Sequence, residues 1–130
     1  MLLSCRILTD VSNVNSFEYE TAAKIASGDA AAIYLQLIDA SANTLDHGFF
    51  PSGRRYIPAA GATLQVVFDN IDDAKKITRF ASQPFSEDGS IWLVNLLSTD
   101  TIDGTVNIRL SLNQGGATTT GLLEAGLLIY

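Results

Sequence analysis

The stretch TVNIRLSLN, residues Thr105–Asn113, decides the fold class of this chain. Its apolar residues alternate strictly with polar ones. Because successive side chains of a β-strand point to opposite faces, this period of two predicts a strand with one buried and one solvated face. The dipeptide Asp103-Gly104 comes directly before it and is a strong signal for a tight hairpin turn. We therefore expect a half-buried antiparallel strand introduced by a hairpin.

The rest of the chain repeats this pattern at regular spacing. Further strands are predicted over Leu2–Thr9, Ala31–Ile38, Arg54–Pro58, Thr63–Asp69, Lys75–Ala81 and Ile91–Leu97. With the C-terminal run this makes about eight strands, which favours a single all-β domain over residues 1–130. The expected architecture is an antiparallel two-sheet β-sandwich of jelly-roll type. The helix candidates are short and cover Thr21–Ala26 and Ile71–Lys76.

The alternation also predicts which side chains form the core. The expected inward set is Ile33, Leu35, Leu37, Leu64, Val66, Phe68, Ile91, Leu93, Val106, Ile108, Leu110 and Leu112. Trp92 is expected on the second face of its strand, where its N–H can reach a partner or the rim. Lys75–Ala81 is expected at a sheet edge, because lysines oppose unwanted edge pairing.

Composition excludes several classes of partner. Only 17% of the 130 residues are charged and the net charge is −6, against about a quarter charged in typical domains. No basic patch is present to bind nucleic acid, and no apolar run approaches the roughly 20 residues that span a bilayer. A weakly charged surface is typical of proteins covered by partners, so we expect a homo-oligomer; the alternative is a compact monomer.

The residues that could carry chemistry are few. One histidine and one cysteine cannot build a nitrogen and sulfur metal site, and His47 beside Asp46 is interpreted as a loop residue because no nucleophile is paired with it. Oxygen ligands for calcium are conceivable at Asp69, Asp72 and Asp73, or at Asp100 and Asp103, but aspartate also closes turns with its own backbone. Cys5 lies in an apolar run and is expected to be a buried, inert thiol. We therefore expect no enzyme, no catalytic residue, no metal and no cofactor.

Two segments are candidate contact surfaces. The long loop Asp39–Gly53 could bind a carbohydrate or protein ligand together with the residues after it. The candidate contact residues in and after this loop are Phe49, Phe50, Arg54, Arg55 and Tyr56.

The second segment is the C-terminus, which stays apolar to its last residue. The residues concerned are Leu122, Leu123, Leu127, Leu128, Ile129 and Tyr130. Chain ends usually fray unless they are docked, so this run is docked somewhere. Two interpretations remain open: an internal strand of its own sheet, or a C-terminal inter-subunit arm over residues 114–130 that pairs with a neighbouring subunit. The glycine-rich and threonine-rich stretch Gln114–Gly121 would be the hinge of that arm.

Several stretches resemble the small structural proteins of tailed bacteriophages. They are Arg55–Phe68, Lys75–Arg79, Gln83–Phe85, Ser90–Trp92, and Gly104–Leu112 followed by Gln114-Gly115, and they cover about the C-terminal two-thirds of the chain.

This resemblance implies a non-enzymatic component of the virion, assembled in the host cytoplasm. Proteins of this kind decorate or cement capsids through contacts between subunits, and others act at the neck, tail or baseplate or attach fibres. The implied partners are other virion proteins, either the major capsid protein or tail components.

Overall fold

The computed structural model describes residues 2–8, 23–41, 54–83 and 89–130. These residues form nine strands and, within these ranges, no helix. The strands are β1 (Leu3–Leu8), β2 (Ala23–Ile25), β3 (Ala31–Asp39), β4 (Arg54–Arg55), β5 (Thr63–Asn70), β6 (Lys75–Ala81), β7 (Ile91–Leu96), β8 (Gly104–Gln114) and β9 (Ala117–Ile129). The all-β prediction is confirmed.

The strands belong to one mixed sheet. Its order is β4-β3-β1-β9-β8-β5-β6, with β7 paired to β3 and β2 paired to β9. Most pairs are antiparallel, but β9 runs parallel to both β1 and β2. A single antiparallel bridge between Ser82 and Leu93 also brings the end of β6 next to β7. The finer prediction of two purely antiparallel sheets is therefore not confirmed.

The strand predicted over Thr105–Asn113 is confirmed as β8, which extends one residue beyond the expected stretch at each end. It pairs with β5 on one side and with β9 on the other. The expected hairpin at Asp103-Gly104 is wrong, because β7 and β8 do not pair and lie far apart in the sheet order. The tight turn instead follows β8 at Gly115-Gly116, where Gln114 faces Ala117 and both glycines have positive φ, 57° and 86°. That backbone twist is the one that suits a two-residue hairpin.

One hydrophobic core collects the inward side chains of the long strands. Ten of the twelve expected core residues belong to it: Ile33, Leu35, Leu37, Leu64, Val66, Phe68, Val106, Ile108, Leu110 and Leu112. Leu3, Cys5 and Ile7 of β1 join them, as do Leu127 and Ile129 of β9. The expected edge position of Lys75–Ala81 is also confirmed, since β6 ends the strand order.

The prediction for β7 has the wrong face. Trp92 lies opposite Leu35 in the register and is buried in the core, while Ile91 is buried on the other face and Leu93 is half-buried. The indole Nε1 of Trp92 has no hydrogen-bond partner, so the expected partner or rim position is also wrong. Because both sides of β7 are apolar, its sequence carries no alternation that could fix the phase.

The second face of β1, β3 and β7 holds a buried polar group. Arg6 Nε donates to Gln36 Oε1 at 2.5 Å, and Gln36 Nε2 donates to Ser90 Oγ at 3.1 Å. Gln36 and Ser90 are fully buried and Arg6 is 7% exposed. Buried polar groups of this kind are tolerated only when they are hydrogen-bonded, and these contacts tie three strands together.

The helix candidates are also corrected. Residues 23–25 of the first form β2, and the second consists of a turn over residues 71–74 followed by the start of β6. In both places the backbone forms sheet hydrogen bonds, between β2 and β9 and between β6 and β5. Tertiary pairing overrides weak local helix preference in such short segments.

Burial gives the Cys5 thiol a testable pH dependence. Desolvation raises its pKa from 9.0 to about 12, so the folded protein keeps a proton that the unfolded chain releases. The free energy of unfolding is therefore expected to fall as pH rises from about 9 to about 12. Urea unfolding of the wild type and of Cys5→Ala should show that the free energy of unfolding falls more steeply with pH for the wild type in this range. Parallel pH profiles of the two proteins would contradict the buried, protonated thiol.

Candidate interaction surface

The C-terminal run occupies an internal position of its own sheet. Strand β9 lies between β8 on one side and β1 and β2 on the other. The expected hinge over Gln114–Gly121 is, in this structure, a two-residue turn that continues directly into β9. This position corresponds to the first interpretation of the C-terminus, an internal strand of its own sheet. An exchange of residues 114–130 between subunits stays a prediction.

The side chains of β9 divide between core and solvent. Leu127 and Ile129 are 1% and 3% exposed and belong to the core, which corrects their placement among the contact residues. Leu128 and Tyr130 point the other way and are 37% and 62% exposed. Because alternate residues of a strand share a face, these two side chains lie on the same outer side. Leu122 and Leu123 belong to β9 opposite Arg109 and Ile108.

Ile71 extends this exposed surface from the other side of β8. Leu128 faces Thr105 in the register, and the amide of Ile71 donates to the carbonyl of Thr105 at 3.0 Å. Ile71 is 56% exposed. Ile71, Leu128 and Tyr130 therefore share the outward side at this end of the sheet, where exposed Lys24 also stands opposite Leu128. We call the three apolar residues the C-terminal patch.

The backbone under the patch is firmly held. The amide of Tyr130 donates to the Ile25 carbonyl at 3.0 Å, and the Tyr130 carbonyl accepts from Ser27 at 2.6 Å. On the other side, Asp72 accepts a hydrogen bond from the Thr105 amide at 2.8 Å. These contacts fix both ends of the patch, so its side chains are presented from a rigid support.

Asn70 anchors the turn that carries Ile71. It is 5% exposed, and its Oδ1 accepts from the amides of Asp72 and Asp73, both at 3.1 Å. Its Nδ2 donates to the carbonyls of Ile102 and Asp103 at 2.8 and 3.2 Å. The Asn70 amide packs against Gly104, where a Cβ would overlap it. Gly104, the first residue of β8, therefore makes room for this side chain instead of closing a hairpin.

Three of the five conceivable calcium ligands, Asp69, Asp72 and Asp100, make structural contacts through their carboxylates. Asp100 binds Arg79 through both carboxylate oxygens at 2.7 Å and accepts from the Leu97 amide at 2.8 Å. Asp69 pairs with Arg109 at 3.2 Å. Among the residues that the structure describes, no three His, Cys, Asp or Glu side chains form a group that could hold a metal ion. His47 and Asp46 lie outside the described residues.

The other candidate contact segment is only partly described. Phe49 and Phe50 lie outside the described residues, and Arg54 and Arg55 form β4, which pairs with the end of β3. Arg55 is exposed. Tyr56 is half-buried, and its hydroxyl is joined to the Gln114 amide by hydrogen bonds at 2.8 and 3.2 Å. Tyr56 therefore links β4 to the Gly115-Gly116 hairpin, and a ligand site on this loop stays a prediction.

Sequence reasoning missed one member of the patch. Ile71 stands inside the acidic turn Asn70–Asp73, where a single apolar residue gives no periodic signal. Only the pairing of β5 with β8 brings it beside Thr105. An isolated isoleucine in an otherwise polar turn is the one feature that could have pointed to it.

In the described part of the chain, no helix has the length and apolarity that crossing a lipid bilayer requires. Comparison of the chain with protein-family models, with curated proteins and with solved structures gave no match.

Proposed function

We propose that this chain is a non-enzymatic structural protein of a tailed-phage virion, and that it decorates or cements the capsid through contacts between subunits. The observation that carries the proposal is the C-terminal patch, in which Leu128 and Tyr130 stay exposed although the strand that bears them is anchored on both sides. Exposed apolar side chains on a rigid support are typical of protein contact sites. The low charge of the chain and the phage resemblance agree with this role.

The physical mechanism is burial of the patch against a neighbouring virion protein. Complete burial of a large apolar side chain contributes about 1.5–3 kcal/mol, so the three residues of the patch supply a modest contact. Association also costs several kcal/mol in lost freedom of motion. A contact of this size suits a component present in many copies, because several weak contacts on one particle add to strong overall binding.

The proposal includes a layered arrangement of the sheet. The strands β7, β3 and β1 form one half of the sheet, and β8, β5 and β6 form the other. Both halves contribute side chains to the same core, which supports a sandwich-like packing of the two halves over each other. The outer faces of such a sandwich are free to meet neighbours. A role at the neck, tail or baseplate, or in fibre attachment, is the alternative, and it would use the same patch.

Point substitutions in the patch test its role in assembly. The double variant Leu128→Ser with Tyr130→Ser should lose self-association, or binding to purified particles, by roughly tenfold or more, because it removes about 1.5 kcal/mol or more of apolar contact. Its melting temperature should fall by only a few degrees, since Tyr130 is 62% exposed and Leu128, at 37%, is buried only in part. Sedimentation velocity and thermal unfolding provide the two measurements.

Leu2→Ser is the matched control. Leu2 is as exposed as Tyr130, at 62%, but it lies beside Asp39 at the start of β1, near the opposite end of β9. This variant should assemble like the wild type. Unchanged assembly of the double variant, or equal loss in the control, would contradict a contact at the patch.

A further inference from the structure

The C-terminal patch lies in a row of outward side chains that crosses the sheet. Leu128 of β9 stands opposite Thr105 of β8 on one side and opposite Lys24 of β2 on the other. Ile71 continues the row beyond Thr105, because its amide donates to the Thr105 carbonyl. Paired residues on adjacent strands share a face. The row therefore runs from Ile71 through Thr105 and Leu128 to Lys24, and we call it the patch row.

One end of the patch row is acidic. Asp72 and Asp73 follow Ile71 in the turn before β6, and both are exposed. The Asp72 carboxylate is held beside the row, because its Oδ2 accepts a hydrogen bond from the Thr105 amide at 2.8 Å. Asp73 uses its amide to bind Asn70, and its carboxylate has no partner in the described part of the chain. This end therefore presents two carboxylates to solvent.

Two lysines follow the acidic turn, but neither joins the patch row. Lys75 shares the inner face of β6 with Ile77, and both residues line a small cavity beside the core. Lys76 is on the outward face and stands opposite Asp69 in the register. A lysine opposite an aspartate on adjacent strands is a favourable pair. The carboxylates of the acidic turn therefore keep their charge for another partner.

The opposite end of the patch row is basic. Lys24 is exposed and makes no ion pair within the described ranges. The next charged residue along the chain, Asp29, is bound through its carbonyl to Thr101, which lies between β7 and β8 and outside both strands. The patch row thus has a cation at one end, apolar side chains in its middle and two carboxylates at the other end.

A row with opposite charges at its two ends is complementary to itself. A two-fold axis that runs along the strands between β8 and β9 lays the row over the reversed row of a second copy. Lys24 of each copy then meets the acidic turn of the other, and the two Leu128 side chains pack together across the axis. A partner with an apolar face would instead leave these charges without a counter-charge, and a partner of uniform charge would repel one end.

We infer that the C-terminal patch binds a second copy of this chain across a two-fold axis. The inference rests on the proposed function, which makes the patch a contact site, and it names the partner of that site. Two-fold dimers are the commonest homo-oligomers, and in them every contact occurs twice. Two Lys24 pairs therefore border the contact, while the exposed Tyr130 widens its apolar part.

Charge reversal at each end of the patch row tests the inference. Lys24→Glu makes both ends acidic, and the double variant Asp72→Asn with Asp73→Lys makes both ends basic. Asparagine keeps an oxygen for the Thr105 amide. By sedimentation equilibrium over roughly 0.01–1 mM, the full-length wild type should dimerise, and each variant alone should raise the dimer Kd about tenfold or more. An equimolar mixture of the two variants should form a heterodimer with a Kd within about threefold of the wild type.

Lys76→Glu is the matched control. It makes the same charge change on the same face, but Lys76 belongs to β6 and stands outside the patch row. Its dimer Kd should equal that of the wild type. A wild type that stays monomeric at every concentration, a mixture of the two variants that stays monomeric, or an equal loss in Lys76→Glu would overturn the inference.

Binding to purified particles separates this inference from the proposed function. A monomeric chain that binds particles through Leu128 and Tyr130 would overturn the two-fold contact and leave the virion role intact. A charge-dependent dimer that neither binds particles nor occurs in them would support the two-fold contact and overturn the virion role.

Discussion

Deleting residues 121–130 is expected to abolish the folded state. The deletion removes most of β9, which pairs with β8 along one side and with β1 and β2 along the other. It also removes Leu127 and Ile129 from the core. Burial of two such side chains alone is worth about 3–6 kcal/mol, and whole domains are stable by only about 5–15 kcal/mol. The remaining strands would then expose unpaired edges in the middle of the sheet.

Circular dichroism and urea unfolding measure this outcome. The truncated chain should show no cooperative transition, whereas a chain lacking only Tyr130, whose side chain is exposed, should unfold cooperatively. A truncated chain that keeps a native-like cooperative transition would show that residues 121–130 are detachable, as expected of an inter-subunit arm. Because the deletion is expected to unfold the protein, only point substitutions can test the C-terminal patch.

The second large effect is expected at Gly121. A Cβ at this position would overlap the carbonyl oxygen of Leu3, at the one register pair that joins β1 to β9. A backbone oxygen cannot move unless β1 moves with it, so Gly121→Val should separate the two strands. Overpacking of this kind costs about 1–3 kcal/mol or more, which corresponds to a fall in Tm of roughly 4–12 °C.

Gly116→Asn provides the control for this substitution. Gly116 lies in the same β8–β9 hairpin, and a Cβ there meets no atom within 4 Å. Its φ of 86° is positive, and asparagine tolerates this region better than most residues. Thermal unfolding should therefore show a small shift for Gly116→Asn and a large one for Gly121→Val. Equal melting of Gly121→Val and the wild type would contradict the parallel contact of β1 with β9.

The fold was predictable where apolar and polar residues alternate. Strands β3, β5 and β8 lie where their sequences place them, because alternation fixes both the strand and its buried face. For β7 the strand was predictable but its face was not, since Ile91 and Trp92 are both apolar and only the pairing with β3 decides between them. Asp103-Gly104 does not predict the topology. A glycine is needed at 104 because the Asn70 side chain, which is distant in sequence, packs against it in the fold.

The candidate surface was predictable only in part. The run Leu127–Tyr130 is apolar throughout, so its sequence cannot say which residues face the core. Which residues of β9 face the core depends on the register of β9 with β8. This register shifts between Val106 and Ile108, so that residues 124–126 stand opposite Asn107. The shift spans two residues of β9 and therefore preserves the alternation. Leu127 and Ile129 lie inside, and Leu128 outside, because Leu127 stands opposite the buried Val106. A β-bulge of this kind depends on two strands together and gives no signal in either one alone.

The copy number of the chain in purified phage particles tests the central proposal most directly. Quantitative mass spectrometry with isotope-labelled peptides of this chain measures that number against the major capsid protein. A capsid decoration protein is expected on the order of hundreds of copies per particle, because it follows the symmetry of the shell. About six to twelve copies, the number typical of a neck, tail or baseplate ring, or no copies at all, would contradict the capsid role.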